Sequence, residues 1–237
     1  MHEDFLLFQI NDAAFPIGTY THSYGLETYI QKDLIRDSDD MFEYIKSSAE
    51  TNFLYTDLLS AYLSYKCASK NNLDEILKIE EIIEVSRIPK EIRLASEKLG
   101  SRFIKTVSSL DVKYESEIFN KYSSRKLGGN RIHSVAYGVF CSSCNIDINK
   151  AMERYLYAYI SAAVINAVKL IPLSQTNGQK ILYSCYGFLE EIINKLPKLT
   201  IEDLCLSTPG FDIRCMQHER LYSRLYMSWL RKLYLDK

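Results

Sequence analysis

Apolar residues recur at spacings of three and four along almost the whole chain, the period of helices that bury one face. Between Asp39 and Lys66 the pattern runs through Met41, Phe42, Ile45, Ala49, Phe53, Leu54, Leu58, Ala61, Tyr62 and Tyr65, with Ser38 or Asp39 placed to cap the start. The same spacing predicts helices over 73–85, from Pro89 through Ile104, and over 116–125, 132–144, 148–171, 179–195 and 200–206. The acidic face of the 73–85 segment, Glu75, Glu80, Glu81 and Glu84, reads as solvated. Leu127-Gly128-Gly129-Asn130 is the clearest loop. Asn177-Gly178 is a hairpin dipeptide, but no alternating strands flank it, so it reads as an irregular turn before a helix. Segment 148–171 is apolar on most faces, which places a helix at the centre of a bundle. The expectation is an all-α, single-domain bundle of about eight to ten helices around a central apolar helix, 148–171.

The end of the chain differs in character. Thr208-Pro209-Gly210 divides a body, 1–206, from a detachable segment, 207–237. From Phe211 onward six basic residues (Arg214, Arg220, Arg224, Arg231, Lys232, Lys237) face three acidic ones (Asp212, Glu219, Asp236). Leu221, Tyr222, Leu225, Tyr226 and Trp229 form an apolar stripe at helical spacing. Such a stripe docks either on its own domain or on a partner. Arginine and tyrosine are enriched where binding energy concentrates, and both readings stay open.

Composition sharpens this picture. With 237 residues and 47% hydrophobic content, the chain can bury a core of its own. A net charge of −1 argues against nucleic acid or anionic membrane as the main partner. It also gives little colloidal repulsion against self-association. Eighteen tyrosines suit core and interface alike, because the ring can be buried while the hydroxyl finds a partner. The apolar run 5–10 is too short for a secretory signal, and no stretch has the ~18 apolar residues of a membrane span. A cytoplasmic location is expected, with the six cysteines reduced.

Catalytic motifs do not accompany this pattern. There is no G-x-x-x-x-G-K-[S/T] phosphate loop, no G-x-G-x-x-G and no H-E-x-x-H; His218-Glu219 lacks the second histidine. Cys141-Ser142-Ser143-Cys144 matches a redox or half-zinc motif in isolation. No second such pair follows, and its apolar helical setting reads as two buried thiols packed as small apolar groups. His22, His133 and His218 are far apart, and no His/Cys pair suited to nickel is visible. No catalytic residue and no metal ligand is therefore assigned. Lys169 near the end of the apolar helix has an ordinary explanation in the helix dipole; contact with an acidic partner is the alternative.

The most informative stretch is 11–29. Pro16 biases Phe15 away from helix, and Gly18 opens a turn closed to other residues. Tyr20, His22, Ser23 and Tyr24 follow, and Gly25-Leu26-Glu27 leads back into an apolar pattern. A bent connection that displays aromatic and polar groups suits recognition better than reaction. The run Phe15-Pro16-Ile17-Gly18-Thr19-Tyr20-Thr21-His22-Ser23-Tyr24-Gly25-Leu26-Glu27 resembles the N-terminal signature of the UreF family of urease accessory proteins. Residues 168–179, with Lys169, Pro172, Leu173, Gln175, Gly178 and Gln179, are similar to the family's central block. The run His218-Glu219-Arg220-Leu221-Tyr222-Ser223-Arg224-Leu225-Tyr226-Met227-Ser228 is similar to its C-terminal block.

This resemblance implies a non-catalytic, all-helical and dimeric protein without a cofactor. It would bind the accessory protein UreD (also called UreH) and recruit the UreG GTPase. Nickel would then pass to apo-urease through the complex, without being stably bound by this chain. The partner-binding residues so implied are Pro16, Gly18, Tyr20, His22, Ser23, Gly25, Glu27, Lys169, Gln175, Arg220, Tyr222, Arg224, Tyr226 and Met227. An alternative role is a GTPase-activating regulator of UreG using Arg220 or Arg224 as an inserted arginine. The chain departs from similar members by continuing past Ser228 through Trp229 to Lys237.

Overall fold

The computed structural model of the chain describes residues 2–18, 25–125, 131–206 and 208–221. Every regular element among them is helical. In order these are α1 (His2–Asn11), α2 (Leu26–Gln31), α3 (Ser38–Ser48), α4 (Leu59–Ser69), α5 (Leu73–Ser86), α6 (Lys90–Ser108), α7 (Ile118–Ser123), α8 (His133–Ser143), α9 (Ile148–Leu170), α10 (Gln175–Ser184), α11 (Tyr186–Lys195) and α12 (Pro209–His218). A π-helical stretch, Ala49–Leu58, joins α3 to α4 without a break, giving eleven rods among the described residues. The short α2 and a break at Cys185 between α10 and α11 add to the expected number.

Side-chain caps explain most boundaries. Asp37 caps α3, one residue before Ser38 and two before Asp39, the expected caps; its Oδ1 accepts the N–H groups of Asp39 and Asp40, each at 3.0 Å. Asn72, Asp147 and Ser174 cap α5, α9 and α10 in the same way. The Ser174 cap starts α10 four residues ahead of the expected 179 and takes Asn177 and Gly178 into its first turn. Gly178 packs there against α9, where a Cβ would stand 2.7 Å from Val168 Cγ2. The helix expected over 200–206 is only a 3₁₀ turn, Ile201–Asp203. Cys205 ends it at a φ of +64°, and its N–H donates to the Tyr55 carbonyl at 2.7 Å, bending the chain onto the π-helical stretch.

The enclosed helix is α8, and this corrects the expectation for 148–171. Ten of the eleven residues of α8 are buried, against eight of the twenty-three in α9. Glycine sets this arrangement. A Cβ on Gly138 would lie 2.1 Å from the Ala61 carbonyl oxygen, and one on Gly100 would lie 2.0 Å from that of Arg131. The α4–α8 and α6–α8 contacts are thus backbone against backbone, which a count of apolar side chains does not register. Helix α9 instead turns Ala158, Ala162 and Ile165 toward a cavity.

Buried polar groups tie the bundle together. Tyr137 donates to the Ala151 carbonyl (2.9 Å) and accepts from Asn11 Nδ2 (3.0 Å). Glu80 is not on a solvated face. It is buried, accepts from the Tyr122 hydroxyl and from the Ile132 N–H (3.0 Å), and so links α5 to α7 and to the start of α8. Burial pushes its carboxyl above the usual range, against the pull of those two hydrogen bonds. Cys141 and Cys144 are free, buried thiols, as the motif's surroundings suggested. Burial pushes Cys141 well up and Cys144 up to about 12, so both stay neutral. No helix among the described residues is long and apolar enough to cross a membrane.

Candidate partner-docking surface

The N-terminal and C-terminal blocks meet in space. Gly25 precedes α2 with a φ of +84°, and a Cβ there would stand 3.0 Å from Cys215 Sγ and 3.3 Å from its backbone nitrogen. Glycine thus serves twice, by adopting a left-handed conformation and by letting α12 lie against the start of α2. Thr28 Oγ1 donates to the Arg214 carbonyl at 3.0 Å, and the Arg214 guanidinium sits 5.8 Å over the Tyr29 ring.

One turn further along α12, His218 stands between two carboxylates. Its Nε2 is 3.5 Å from Glu27 Oε1 on α2, and its Nδ1 is 2.7 Å from Glu91 Oε2 on α6. The Glu91 N–H donates to Glu219 Oε1 at 3.2 Å. Burial by itself would lower the imidazole's pKa; the hydrogen bonds to Glu27 and Glu91 outweigh it and raise the value to about 9. His218 is therefore charged at neutral pH and holds α12, α2 and α6 in one clasp. Residues 209–221 of the expected detachable segment are seated on the body by these contacts.

The expected site residues fall into three groups. Pro16 is exposed, flanked by buried Phe15 and Ile17. The Phe15 ring lies 6.2 Å from that of Phe103, and Arg102 Nη1 donates to the Ile17 carbonyl at 3.2 Å. Gly18 takes a φ of +89°, the turn its position called for. Lys169 in the last turn of α9, Gln175 at the start of α10 and Arg220 after α12 are also exposed. Gly25 and Glu27 are internal; Glu27 is only 3% exposed and faces His218. Tyr20, His22, Ser23, Tyr222, Arg224, Tyr226 and Met227 lie outside the described residues.

Sequence reasoning missed the clasp. His218 reads in the sequence as a histidine without a second zinc ligand and as the first residue of the C-terminal block, and Glu91 as an ordinary acid in a helix first turn. Only the packing of α12 across α2 and α6 reveals their pairing. Among the described residues no group of three or more His, Cys, Asp and Glu is arranged to hold a metal ion.

The described residues define an all-α protein in which the start of α2 and the end of α12 are fastened together, with α6, by Glu27, His218 and Glu91. The model of the UreF family matches residues 35–186. Over 94% of its length the chain is 33% identical to the urease accessory protein UreF of Ureaplasma parvum, covering 95% of that protein. It is 34% identical to the UreF of a Bacillus species over the same share, covering 97% of it. The chain belongs to the UreF family of urease accessory proteins. The family model leaves out both end blocks, whereas the two relatives align with 94% of the chain.

Proposed function

We propose that this protein is a non-catalytic assembly factor in urease maturation. It acts in the cytoplasm as a homodimer, binds UreD/UreH and then recruits the UreG GTPase. Nickel passes to apo-urease through the complex and is not retained by this chain. The observation that supports the reading best is the joining of the two blocks by Glu27, His218 and Glu91. These contacts hold the start of α2, at the end of the N-terminal block, against the end of α12, where the C-terminal block begins. Fixing their relative position before association lowers the ordering cost that a partner must otherwise meet.

Co-expression with the UreD/UreH and UreG homologues of the same organism, read by affinity capture and light-scattering mass, tests this. A complex that holds the GTPase only when both other proteins are present is expected. Folded protein that captures neither partner overturns the reading. A chain ending at Leu221 keeps the clasp intact, so it asks separately whether Tyr222, Arg224, Tyr226 and Met227 carry contacts; loss of GTPase recruitment is expected. A cut after Thr208 is less informative, because it uncovers the face of α2 that Cys215 and His218 bury.

A further inference from the structure

A cavity of about 580 Å³ opens between α6, α9, the π-helical stretch and the first turn of α12. That volume lies in the range of small-ligand sites. Much of its wall is aromatic. Phe53 stacks on Tyr159 with ring centroids 3.9 Å apart, Tyr155 lies 5.6 Å from Phe53, and half-buried Tyr157 and Phe211 add to the lining. The mouth carries Val85, Ile88 and Leu206, which are 73%, 64% and 48% exposed.

The charges on this lining do not balance. Among the described lining residues Asp12, Asp57 and Asp212 are acidic, whereas Arg87 alone is basic. His133 adds no charge, since burial lowers its pKa to about 4. Asp57 Oδ1 already takes the Arg87 guanidinium at 2.7 Å. Asp12 is exposed, and its Oδ1 accepts the Ala14 N–H at 2.7 Å. Asp212 is placed differently. It is half-buried, and its carboxylate has neither a hydrogen bond nor an ion pair among the described residues. Burial pushes its pKa up, against the smaller pull of Arg87. The helix dipole explains an acid in the first turn of α12. It does not explain one set at an aromatic cavity without a donor, where the charge is costly until something pairs with it.

We propose that this cavity receives the guanidinium of an arginine side chain presented by another protein, with Asp212 as its counter-ion. The surplus of carboxylates over Arg87 calls for a cation. Guanidinium suits the walls better than an ammonium group or a metal ion, because it is planar, weakly hydrated and stacks on aromatic rings. Its fork of N–H donors also matches the two oxygens of a free carboxylate. The exposed apolar side chains at the mouth point to a protein as the source. A small free cation would leave them uncovered, whereas the residues flanking an arginine would cover them. An arginine anchored in a pocket and ringed by apolar contacts is the usual build of a binding hot spot. The inference concerns the cavity itself and does not rest on the assembly role proposed above.

Saturation-transfer NMR on the intact protein, with capped peptides as probes, tests this. Acetyl-Leu-Arg-Leu-amide is expected to bind about ten-fold more tightly than the same peptide carrying citrulline, which keeps the shape of arginine and removes its charge. No binding of the arginine peptide, or equal binding of the two, overturns the proposal. Acetyl-Arg-amide, without the flanking leucines, is expected to bind several-fold more weakly; equal affinity makes a small free cation the occupant and overturns the protein source. Asp212→Asn is expected to abolish the preference for arginine over citrulline while far-UV circular dichroism holds. A folded Asp212→Asn protein that keeps the preference overturns the proposal. Should that variant not fold, Ala162→Phe, which fills the cavity from α9, is expected to abolish binding, and a folded Ala162→Phe protein that binds as before overturns it. Because the probes are peptides, failure here leaves the co-expression test untouched.

Discussion

His218→Gln separates charge from packing in the clasp that joins α12 to α2 and α6. Glutamine keeps much of the shape and a hydrogen-bonding tip, but it cannot take up the proton. The imidazole's pKa is about 9 in the folded protein against an ordinary 6.5. Folding therefore favours the protonated ring by a factor of a few hundred, or about 3 kcal/mol at ~1.4 kcal/mol per tenfold. The residue is buried, so solvent screening does not dissolve this figure. The sign follows from the raised value. The contribution is complete below the unfolded pKa of 6.5, shrinks as pH climbs from there, and is gone above the folded value of about 9. At pH 7.5 about 2 kcal/mol is left. Cys215 does not confuse the window, since burial and the nearby carboxylates Asp212, Glu91 and Glu219 push its thiol up and keep it neutral. Urea denaturation of both proteins at pH 6, 7.5 and 9, followed by far-UV circular dichroism, measures the difference. The gap between wild type and variant is expected to close steadily from about 3 kcal/mol toward zero. A gap that stays constant across this range would refute the argument, because the clasp would then be held by shape and neutral hydrogen bonds.

Other positions give sharp expectations. Gly138→Ala drives a Cβ to 2.1 Å from the Ala61 carbonyl oxygen; a helix backbone cannot step aside cheaply, so a loss above ~3 kcal/mol is expected in denaturation or as lost soluble yield. Gly25→Ala strains a φ of +84° and crowds Cys215; a lower melting temperature and a loss of ~1–2 kcal/mol are expected. Tyr122→Phe removes one of two donors to buried Glu80, at a cost of ~1–3 kcal/mol at neutral pH. Iodoacetamide at mildly alkaline pH should leave Cys141 and Cys144 unmodified in native protein and label both after unfolding, as peptide mass mapping would show.

The reading of Cys141-Ser142-Ser143-Cys144 held because its warrant was local. Apolar residues on either side of the pair belong to the same helix, and helix periodicity fixes what one helix buries. The opposite happened at Glu80. Its neighbours Glu75, Glu81 and Glu84 suggested a solvated face, but the partners that receive its carboxylate, Tyr122 and the Ile132 N–H, lie on elements far along the chain. Periodicity places a residue on a face, and it does not say what will cover that face. At the candidate surface the same limit appears. The motif blocks were visible as separate strings, and Pro16 and Arg220 within them are exposed. That Glu27 serves the interior was not visible, because its partner sits 191 positions later in the chain.

Helical periodicity, polar caps and the three ordered blocks were enough, by themselves, to give an all-α bundle of UreF type. These signals act over a few residues, and each helix carries its own. Tertiary structure alone decided which helix lies at the centre, what the two glutamates do, and that a cavity opens behind α9. The apolar side chains of 148–171 outnumber those of α8, yet α8 is the one enclosed, since Gly138 and Gly100 let backbones touch. Close approach is a property of two surfaces at once, and neither surface is written in the segment that meets it.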